Sequence, residues 1–278
     1  MKGGMGGLKP LVTLHFPLLL IVLFALGPYL WAFISSITPE REFDVREFRY
    51  FPQAPTLENY AKLFRKINFL INMRDSLLVA AATMLIGLGI STTASYSFSR
   101  FRFPGRNYLL LQFLVINMFP VVLLLIPLFV IMRILHFRDT YYGLILAYST
   151  FAIPFSTWMM TGFFNAIPRE LDEAARVDGC GRLTAMLRVV MPVAMPGIAA
   201  TSIYIFITAW NEFIYAAILA GTEVRTIPVA LQNMIGEYSI AWGLLTAGGV
   251  VSAVPVIVLF FFIQKSLISG MTAGAVKA

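Results

Sequence analysis

The chain has 278 residues, of which 59% are hydrophobic and 13% are charged, and its mean hydropathy is +0.80. A soluble domain carries roughly 25% charged residues, so the composition excludes an ordinary soluble protein and indicates a membrane protein. The formal net charge of +7 would suit a nucleic-acid partner. However, the Lys and Arg residues lie between long apolar stretches, as membrane topology requires, and no nucleic-acid partner is predicted.

Six long windows without a charged residue divide the chain: Leu11–Ile37, Ser76–Ser99, Asn107–Met132, Thr140–Ile167, Val189–Asn211 and Tyr238–Gln264. Each exceeds the roughly 20 residues that a helix needs to cross a hydrocarbon core, and a helix satisfies its own backbone there. We predict an all-α membrane protein with six transmembrane helices in a single domain, residues 1–278. The spans are predicted at about 11–37, 76–99, 107–132, 140–163, 192–220 and 240–264.

The first window is predicted to be a retained span, because it is too long for a signal peptide and no small-residue cleavage site follows it. Basic residues decide the orientation only weakly, since they are divided almost equally between the two sets of loops. The short segment 100–106 carries three Arg residues and no acidic one, which favours the cytoplasmic side. Both termini are then cytoplasmic.

The sequence carries no signature of a catalytic or metal site. Cys180 is the only cysteine, which excludes an intrachain disulfide, and the two histidines, His15 and His136, give no metal-ligand spacing. No Gly-x-x-x-x-Gly-Lys-Ser/Thr loop occurs. We therefore predict no catalytic residue, no metal ligand and no cofactor bound by this chain.

Two short helices are predicted in the external segments. Thr56 can cap a helix that runs to about Phe64, and its apolar residues recur at helical spacing: Leu57, Tyr60, Ala61 and Phe64. The uncharged segment Thr226–Gly236 is too short to span and is predicted to be a re-entrant or interfacial helix.

The segment 164–191, between the fourth and fifth spans, is polar and carries both charge signs. Pro168 suits the first turn of a helix, and acidic residues follow it near the positive end of the helix dipole. Gly179 suits the position just past a helix end, where a left-handed conformation is needed. We predict a helix over Pro168–Asp178, on which Leu171, Ala174 and Ala175 share a narrow face of small residues.

Several residues of this segment form a pattern with fixed spacings. Glu173-Ala174-Ala175 is followed after three residues by Gly179, and after nine more by Val189, with Met191-Pro192 closing the pattern. The pattern resembles the EAA loop of ABC-importer permeases, with Val189 and Met191 in place of Ile and Leu. The resemblance implies that the loop docks a cytoplasmic ATPase through six residues: Glu173, Ala174, Ala175, Asp178, Gly179 and Pro192.

Trp210-Asn211-Glu212-Phe213 places a carboxylate inside an otherwise apolar stretch. A carboxylate at membrane depth usually faces a bundle interior or a water-filled cavity. Glu212, with Asn211, is therefore a candidate residue of a translocation pathway or gate. Because it lies roughly 30 Å along its helix, an interfacial anchor is an alternative.

The C-terminal segment 266–278 is rich in small residues. It is similar to the tail of the smaller, G-type permease subunit of maltose transporters. That resemblance implies that Thr272, Ala273 and Gly274 contact the ATPase.

Together these resemblances imply a permease subunit of a type I ABC importer with a maltose-permease-like fold, in a prokaryotic plasma membrane. The implied partners are a second permease subunit, two copies of an ATPase that uses ATP and Mg²⁺, an extracytoplasmic solute-binding protein and the lipid bilayer. The implied solute is a sugar of unspecified identity. An importer of glycerol phosphate or amino acids is the nearer alternative, and a secondary carrier or a membrane-embedded enzyme is disfavoured.

Overall fold

The computed structural model describes residues 11–43, 49–236 and 239–275, without the side chains of residues 11–12, 66 and 266–275. Within these ranges the chain is helical, with a single isolated β-bridge between Ile235 and Ile240. The α-helices are α1 (Phe16–Ser36), α2 (Glu58–Lys66), α3 (Phe69–Arg100), α4 (Arg106–Met118), α5 (Val121–Ile134), α6 (Tyr141–Ala166), α7 (Glu170–Val177), α8 (Arg182–Ala185), α9 (Met191–Val193), α10 (Met195–Trp210), α11 (Ile214–Leu219), α12 (Ile227–Gln232) and α13 (Trp242–Ala275). A π-helical turn, Leu11–His15, precedes α1, and another, Met186–Val190, joins α8 to α9.

Four segments of the described chain are single helices long and apolar enough to cross a membrane. They are Thr13–Ser36, Phe69–Arg100, Tyr141–Ala166 and Trp242–Lys265. Two further segments qualify as bent helix pairs, Arg106–Met118 with Val121–Ile134 and Arg182–Val193 with Met195–Trp210. Contacts at the helix ends show whether each bent pair forms one crossing of the membrane.

The ends of α3 and α6 establish the direction of each helix. Near their first residues the Tyr141 hydroxyl donates to Asp75 at 2.8 Å. Near their last residues Arg100 donates to the carbonyl of Phe164 at 3.1 Å. The two helices therefore run parallel, so the chain between them must return across the same thickness. The bent pair α4–α5 lies on that return.

The second bent segment runs back along α6. A Cβ added at Gly197, near the start of α10, would overlap the ring of Phe163 near the end of α6. Farther along, Tyr215 of α11 stacks on Phe151 of α6 with ring centroids 5.8 Å apart. The segment α10–α11 is thus antiparallel to α6. Counting each bent pair as one crossing gives the six spans predicted from the sequence.

Proline breaks the third predicted span. The window 107–132 was predicted as one helix, but α4 and α5 meet at an angle of 97°. Pro120 directly precedes α5, and it has no N–H to continue the hydrogen-bond ladder of α4. The window therefore contains two helices with a bend at one of its prolines, and hydropathy alone does not register such a change of axis.

The fifth predicted span, 192–220, is interrupted twice. The axis turns by 84° between the segment ending at Val193 and the segment beginning at Met195. Pro196 causes this turn, since its ring lacks an N–H and clashes with the carbonyl four residues earlier. A second interruption at residues 211–213 separates α10 from α11. The other predicted boundaries lie close to the observed helices, although α3 begins earlier, at Phe69, and α13 extends to Ala275.

The described chain divides into two compact units. One comprises the chain up to Phe69 together with Leu231–Val254, and the other comprises Leu70–Ala230 with the chain from Pro255. In the first unit the Gly243 N–H donates to Glu40 at 3.1 Å, which places the start of α13 beside the segment that follows α1. In the second unit a buried apolar cluster joins α3, α6 and the chain from α8 to α10: Tyr96, Met160, Phe164, Ile167, Met186, Val190, Ala194 and Ile198.

Helix α2 in the first unit buries residues that lie outside its predicted apolar set. Leu57 is 71% exposed, whereas Leu63 is fully buried and Asn59 is 2% exposed. The Asn59 amide donates to the carbonyls of Ser36 at 2.9 Å and Thr38 at 2.8 Å. A polar residue thus anchors α2 to the carbonyls at the end of α1, which apolar periodicity does not reveal.

We expect Asn59→Ala to destabilise the first unit, because it leaves two carbonyls without their donor at a buried site. The expected loss is about 1–3 kcal/mol of unfolding free energy, measurable by chemical unfolding in detergent micelles. Asn107→Ala, at an exposed asparagine, is the matched control and should change stability little. Equal stability of the two variants would contradict the anchoring role.

Candidate functional site

The helix α7 lies in the segment whose spacing resembled an EAA loop. It covers eight residues, Glu170–Val177, and so starts two residues later than predicted. Gly179 has a φ of +86°, which is the left-handed conformation predicted for the residue just past the helix end. Its N–H donates to the Arg176 carbonyl at 3.1 Å, and the Cys180 N–H donates to the Ala175 carbonyl at 2.9 Å. These two bonds form a Schellman motif, which ends the helix sharply.

The two faces of α7 differ in exposure. Asp172 and Ala175 are buried against the protein's own chain, at 9% and 5% exposed, whereas Val177 is 87% exposed. Glu173 and Ala174 are also exposed. The prediction that Ala174 and Ala175 share one open face was therefore wrong, because Ala175 packs inward. The exposed residues of α7 are Glu170, Leu171, Glu173, Ala174, Arg176 and Val177.

A buried ion pair attaches α7 to α3. The Asp172 carboxylate lies 2.7 Å from Nε of Arg100 and accepts a hydrogen bond of 2.5 Å from the Tyr96 hydroxyl. Both charged side chains are largely buried, at 7% exposed for Arg100 and 12% for Asp172. Such a pair is strong only when its remaining polar atoms are also satisfied.

The end of α6 satisfies the rest of the guanidinium. Arg100 donates to the carbonyls of Phe164 at 3.1 Å and Ile167 at 3.2 Å. In the opposite direction, Arg169 donates to the Ser99 carbonyl at 2.8 Å. These contacts join the ends of α3 and α6 to the start of α7. We call Tyr96, Arg100 and Asp172 the latch.

The latch was not predicted as a site. Asp172 was noted only as one of several acidic residues near a helix start, and Arg100 only as a basic residue in a short loop. The available signal was the position of Asp172 three residues before Ala175 and about 100° around the helix from Glu173. Which side of α7 faces the helix bundle depends on tertiary packing. The spacing alone therefore did not show which of Asp172 and Glu173 would be buried.

Pro192, the last residue of the predicted coupling set, lies in the short helix α9 after the π-turn. Its side chain is exposed, whereas Val190 and Ala194 on either side of it are buried in the apolar cluster. The chain from Arg182 to Val193 thus packs beneath α7 before turning by 84° into α10. Asp178, another member of the set, ends α7 and is exposed.

Glu212 lies at the second interruption of the fifth span and acts as a helix cap. Its carboxylate accepts from the N–H groups of Ile214 at 3.0 Å, Tyr215 at 3.0 Å and Ala216 at 3.3 Å. These are three of the first N–H groups of α11, which have no partner within their own helix. The neighbouring Asn211 is exposed. Glu212 was predicted to be either a pathway residue or an interfacial anchor. Its role as a helix cap was not predicted.

The sequence was compared with those of characterised families. Residues 85–273 match the family described as the inner membrane component of binding-protein-dependent transport systems. The chain belongs to this family. The match includes the latch and α7.

Three relatives align with most of this permease. SmoH of Agrobacterium fabrum, a sulfoquinovosyl glycerol transport system permease protein, is 36% identical over 97% of this chain and 94% of its own. SugB of Mycobacterium tuberculosis, a trehalose transport system permease protein, is 36% identical over 93% of this chain and 94% of its own. MdxG of Bacillus subtilis, a maltodextrin transport system permease protein, is 36% identical over 80% of this chain and 81% of its own.

A solved structure has the same fold. A chain of a bacterial ABC transporter involved in the import of the acidic polysaccharide alginate superposes with a TM-score of 0.75 and 22% sequence identity, covering 91% of this permease and 95% of that chain. The prediction of an all-α, type I importer permease fold is confirmed. The permease is accordingly a multi-pass protein of the plasma membrane.

The predicted tail residues Thr272, Ala273 and Gly274 lie in the last turns of α13. Their side chains are outside the part of the permease that the structure describes. Their contact with an ATPase remains a prediction.

At the opposite end of α3 and α6, aspartates hold the external segment 219–227. Asp139 accepts from the N–H groups of Thr222 at 2.9 Å, Glu223 at 3.1 Å and Val224 at 3.1 Å. Burial alone raises the pKa of Asp139, but these backbone donors outweigh burial, and its pKa lies below the ordinary value. Asp75, 1% exposed, accepts from the Arg225 N–H at 3.2 Å.

We expect Asp172→Asn to destabilise the permease, because it leaves the Arg100 cation buried without its counter-charge. Breaking such a pair costs about 3–5 kcal/mol, measured as unfolding free energy in micelles. Tyr96→Phe removes one hydrogen bond to the carboxylate and should cost less, about 1–3 kcal/mol. Glu173→Gln, on the open face of the same helix, is the control and should have little effect. A Glu173→Gln effect as large as that of Asp172→Asn would contradict the latch.

We expect the external segment to loosen at acidic pH. A lowered pKa in the folded state means that the Asp139 bonds stabilise the segment fully above the ordinary carboxyl pKa of about 3.9, and that this contribution is lost as pH falls through the lower folded value. Hydrogen exchange of the Thr222, Glu223 and Val224 amides, corrected for intrinsic rates, measures the change.

The control amide for this experiment is Ile227, whose N–H donates to the hydroxyl of Ser76 at 2.7 Å. Because a serine does not titrate in this range, protection of Ile227 should depend less on pH. Asp139→Asn should reproduce the loosening at neutral pH. Protection at residues 222–224 that is independent of both pH and this substitution would contradict the assignment.

Proposed function

We propose that this permease carries a sugar, delivered by an extracytoplasmic solute-binding protein, across the membrane at the expense of ATP hydrolysed by a separate subunit. Three relatives that align with most of the chain support the substrate class, since they are named as permeases for sulfoquinovosyl glycerol, trehalose and maltodextrin. The family itself belongs to binding-protein-dependent systems. An importer of glycerol phosphate or amino acids is not favoured by these relatives, nor is a secondary carrier.

The observation that carries the coupling role is the division of α7 into two faces. Its inner face is attached by the latch to the ends of α3 and α6, while its open face presents Glu173, Ala174 and Val177 to the solvent. A helix fixed on one side and open on the other can receive a partner and pass its displacement to the bundle. We propose that the open face docks the ATPase and that Glu173 meets a basic group on it.

The remaining partners follow from the same proposal. The chain has no nucleotide-binding loop of the Gly-x-x-x-x-Gly-Lys-Ser/Thr type, so ATP and Mg²⁺ would be bound by two copies of the ATPase. A second, homologous permease would complete the pathway. With α7 on the cytoplasmic side, both termini are cytoplasmic and residues 219–227 face the binding protein. Asp178, Gly179 and Pro192, predicted as coupling residues, would contribute to coupling by ending α7 and by leading the chain into the fifth span.

Coupling is tested with the complex co-expressed from the permease, its second permease and the ATPase, reconstituted with the binding protein. We expect Glu173→Lys and Gly179→Asp to abolish uptake of radiolabelled sugar and to reduce co-purification of the ATPase, while leaving expression intact. At Gly179 any side chain must adopt a left-handed conformation, which costs about 1–2 kcal/mol. A panel of neutral and acidic sugars determines the substrate class.

Gly181→Asp is the matched control for Gly179→Asp, because Gly181 has a φ of −65° and no atom near its missing Cβ. It should retain ATPase co-purification and uptake. Normal co-purification and uptake in both the Glu173 and Gly179 variants would refute the docking role. No response of the wild-type complex to any sugar would refute the substrate class.

A further inference from the structure

A cleft of about 330 Å³ opens in the second unit between α4, α5, α6, α10 and α11. Its volume is at the lower end of the range of about 300–1,000 Å³ found for small-molecule sites. Two of the three interruptions in the bent spans border it, since Phe119 and Val121 flank the break at Pro120 and Glu212 lies in the break between α10 and α11. Interrupted transmembrane helices commonly form the substrate sites of transporters.

Aromatic rings form part of the cleft wall. Phe151 and Tyr215 are stacked with an interplanar angle of 5°, and both line the cleft. Tyr204 also lines it and is supported from behind by Phe155, whose ring centroid is 4.6 Å away. An aromatic face carries partial negative charge and therefore attracts the C–H face of a sugar ring, which is weakly positive.

The polar groups of the wall include donors, since the side chains of Tyr204 and Tyr215 line it and carry hydroxyl groups, and they also include acceptors. The hydroxyl of Thr150 donates to the Ala147 carbonyl at 2.6 Å, and that of Thr208 donates to the Tyr204 carbonyl at 2.7 Å. The amide of Asn117 donates to the Phe113 carbonyl at 3.0 Å. Because the hydroxyl protons and one amide proton are already used, the oxygens of these side chains are left to accept hydrogen bonds. They suit a ligand rich in hydroxyl donors.

Charge in the cleft disfavours an anionic ligand. Of the eleven described residues that line it, none is basic and one, Glu212, is acidic. Its carboxylate offers about four acceptor positions, and three backbone N–H groups occupy most of them. An acidic sugar would meet acceptor oxygens and a carboxyl group with no cation to balance it.

We propose that this cleft is a subsite for one ring of a neutral carbohydrate on its way through the permease. Tyr204 stacks against the ring, while Asn117, Thr150 and Thr208 accept from its hydroxyl groups. Glu212 is a positioning residue, which holds Tyr215 in the wall by capping α11. The inference rests on the proposed function and adds to it that this subunit itself contacts the solute and prefers a neutral one.

The test uses two probes that differ only at C6, methyl α-glucopyranoside and methyl α-glucuronopyranoside. Saturation-transfer difference NMR measures their binding to the purified complex of both permeases and the ATPase in nanodiscs, without binding protein. We expect the neutral glycoside to bind and the glucuronoside not to. Tyr204→Leu should weaken binding about threefold to tenfold, as expected for loss of an aromatic contact, and Thr208→Val should weaken it as well.

Two matched control variants distinguish a loss of the subsite from a general loss of folding or assembly. Tyr108→Leu replaces a tyrosine that is 81% exposed and does not line the cleft. Thr93→Val replaces an exposed threonine whose hydroxyl donates within its own helix at 3.0 Å. Both controls should bind the glucoside as the wild type does and keep the basal ATPase activity, and all four variants should assemble with the second permease and the ATPase. If Tyr204→Leu fails to assemble, Thr208→Val decides the outcome, because it is nearly isosteric.

Binding of the two glycosides with equal strength, or binding that neither Tyr204→Leu nor Thr208→Val weakens, would overturn the subsite. A complex that takes up sugar with its binding protein but binds neither probe would also overturn it, and would leave the proposed function intact. A complex that responds to no sugar in the uptake experiment would instead refute the proposed function.

Discussion

The buried ion pair between Asp172 and Arg100 is the constraint on which the end of the second unit that carries α7 depends. Removing two charges from water costs several kcal/mol for each ion, so the pair persists only where every remaining polar atom has a partner. Tyr96 supplies one partner, and the carbonyls of Phe164 and Ile167 supply the others. Satisfying one guanidinium therefore fixes α3, α6 and α7 relative to one another.

The same requirement explains why a carboxylate lies at the second interruption of the fifth span. A helix that breaks at membrane depth exposes N–H and C=O groups that no water can reach. At the break between α10 and α11 the Glu212 carboxylate accepts from three such N–H groups. An acidic residue in an apolar stretch is thus stabilised by backbone donors, without a basic partner. Without Glu212 the first N–H groups of α11 would lack these acceptors, and without those N–H groups the carboxylate would lack these donors.

Features set by local residues were predictable from the sequence, whereas features set by distant partners were not. Hydropathy located the single-helix spans, and the missing Cβ of Gly179 located the end of α7, because both depend only on nearby residues. The angle at Pro120 and the inward orientation of Ala175 and Asp172 depend on what packs against them. The burial of Asn59 was not predictable either. An asparagine is usually a surface residue, and the carbonyls that accept from Asn59 lie more than twenty residues away in the sequence.

Helix α6 connects the latch to the cleft. Phe164, at the latch, and Phe151, in the cleft wall, are separated by roughly 20 Å along the helix axis. Pro154 lies between them inside the helix and cannot donate to the carbonyl four residues earlier, that of Thr150. The bond missing from the α6 ladder is thus located at a cleft residue, which makes this part of the helix the easiest to bend. A displacement of α7 reaches α6 through Arg100, and the helix can absorb it where Thr150 borders the cleft. A continuous path of packed groups, through Arg100 and α6, therefore joins α7 to the cleft wall.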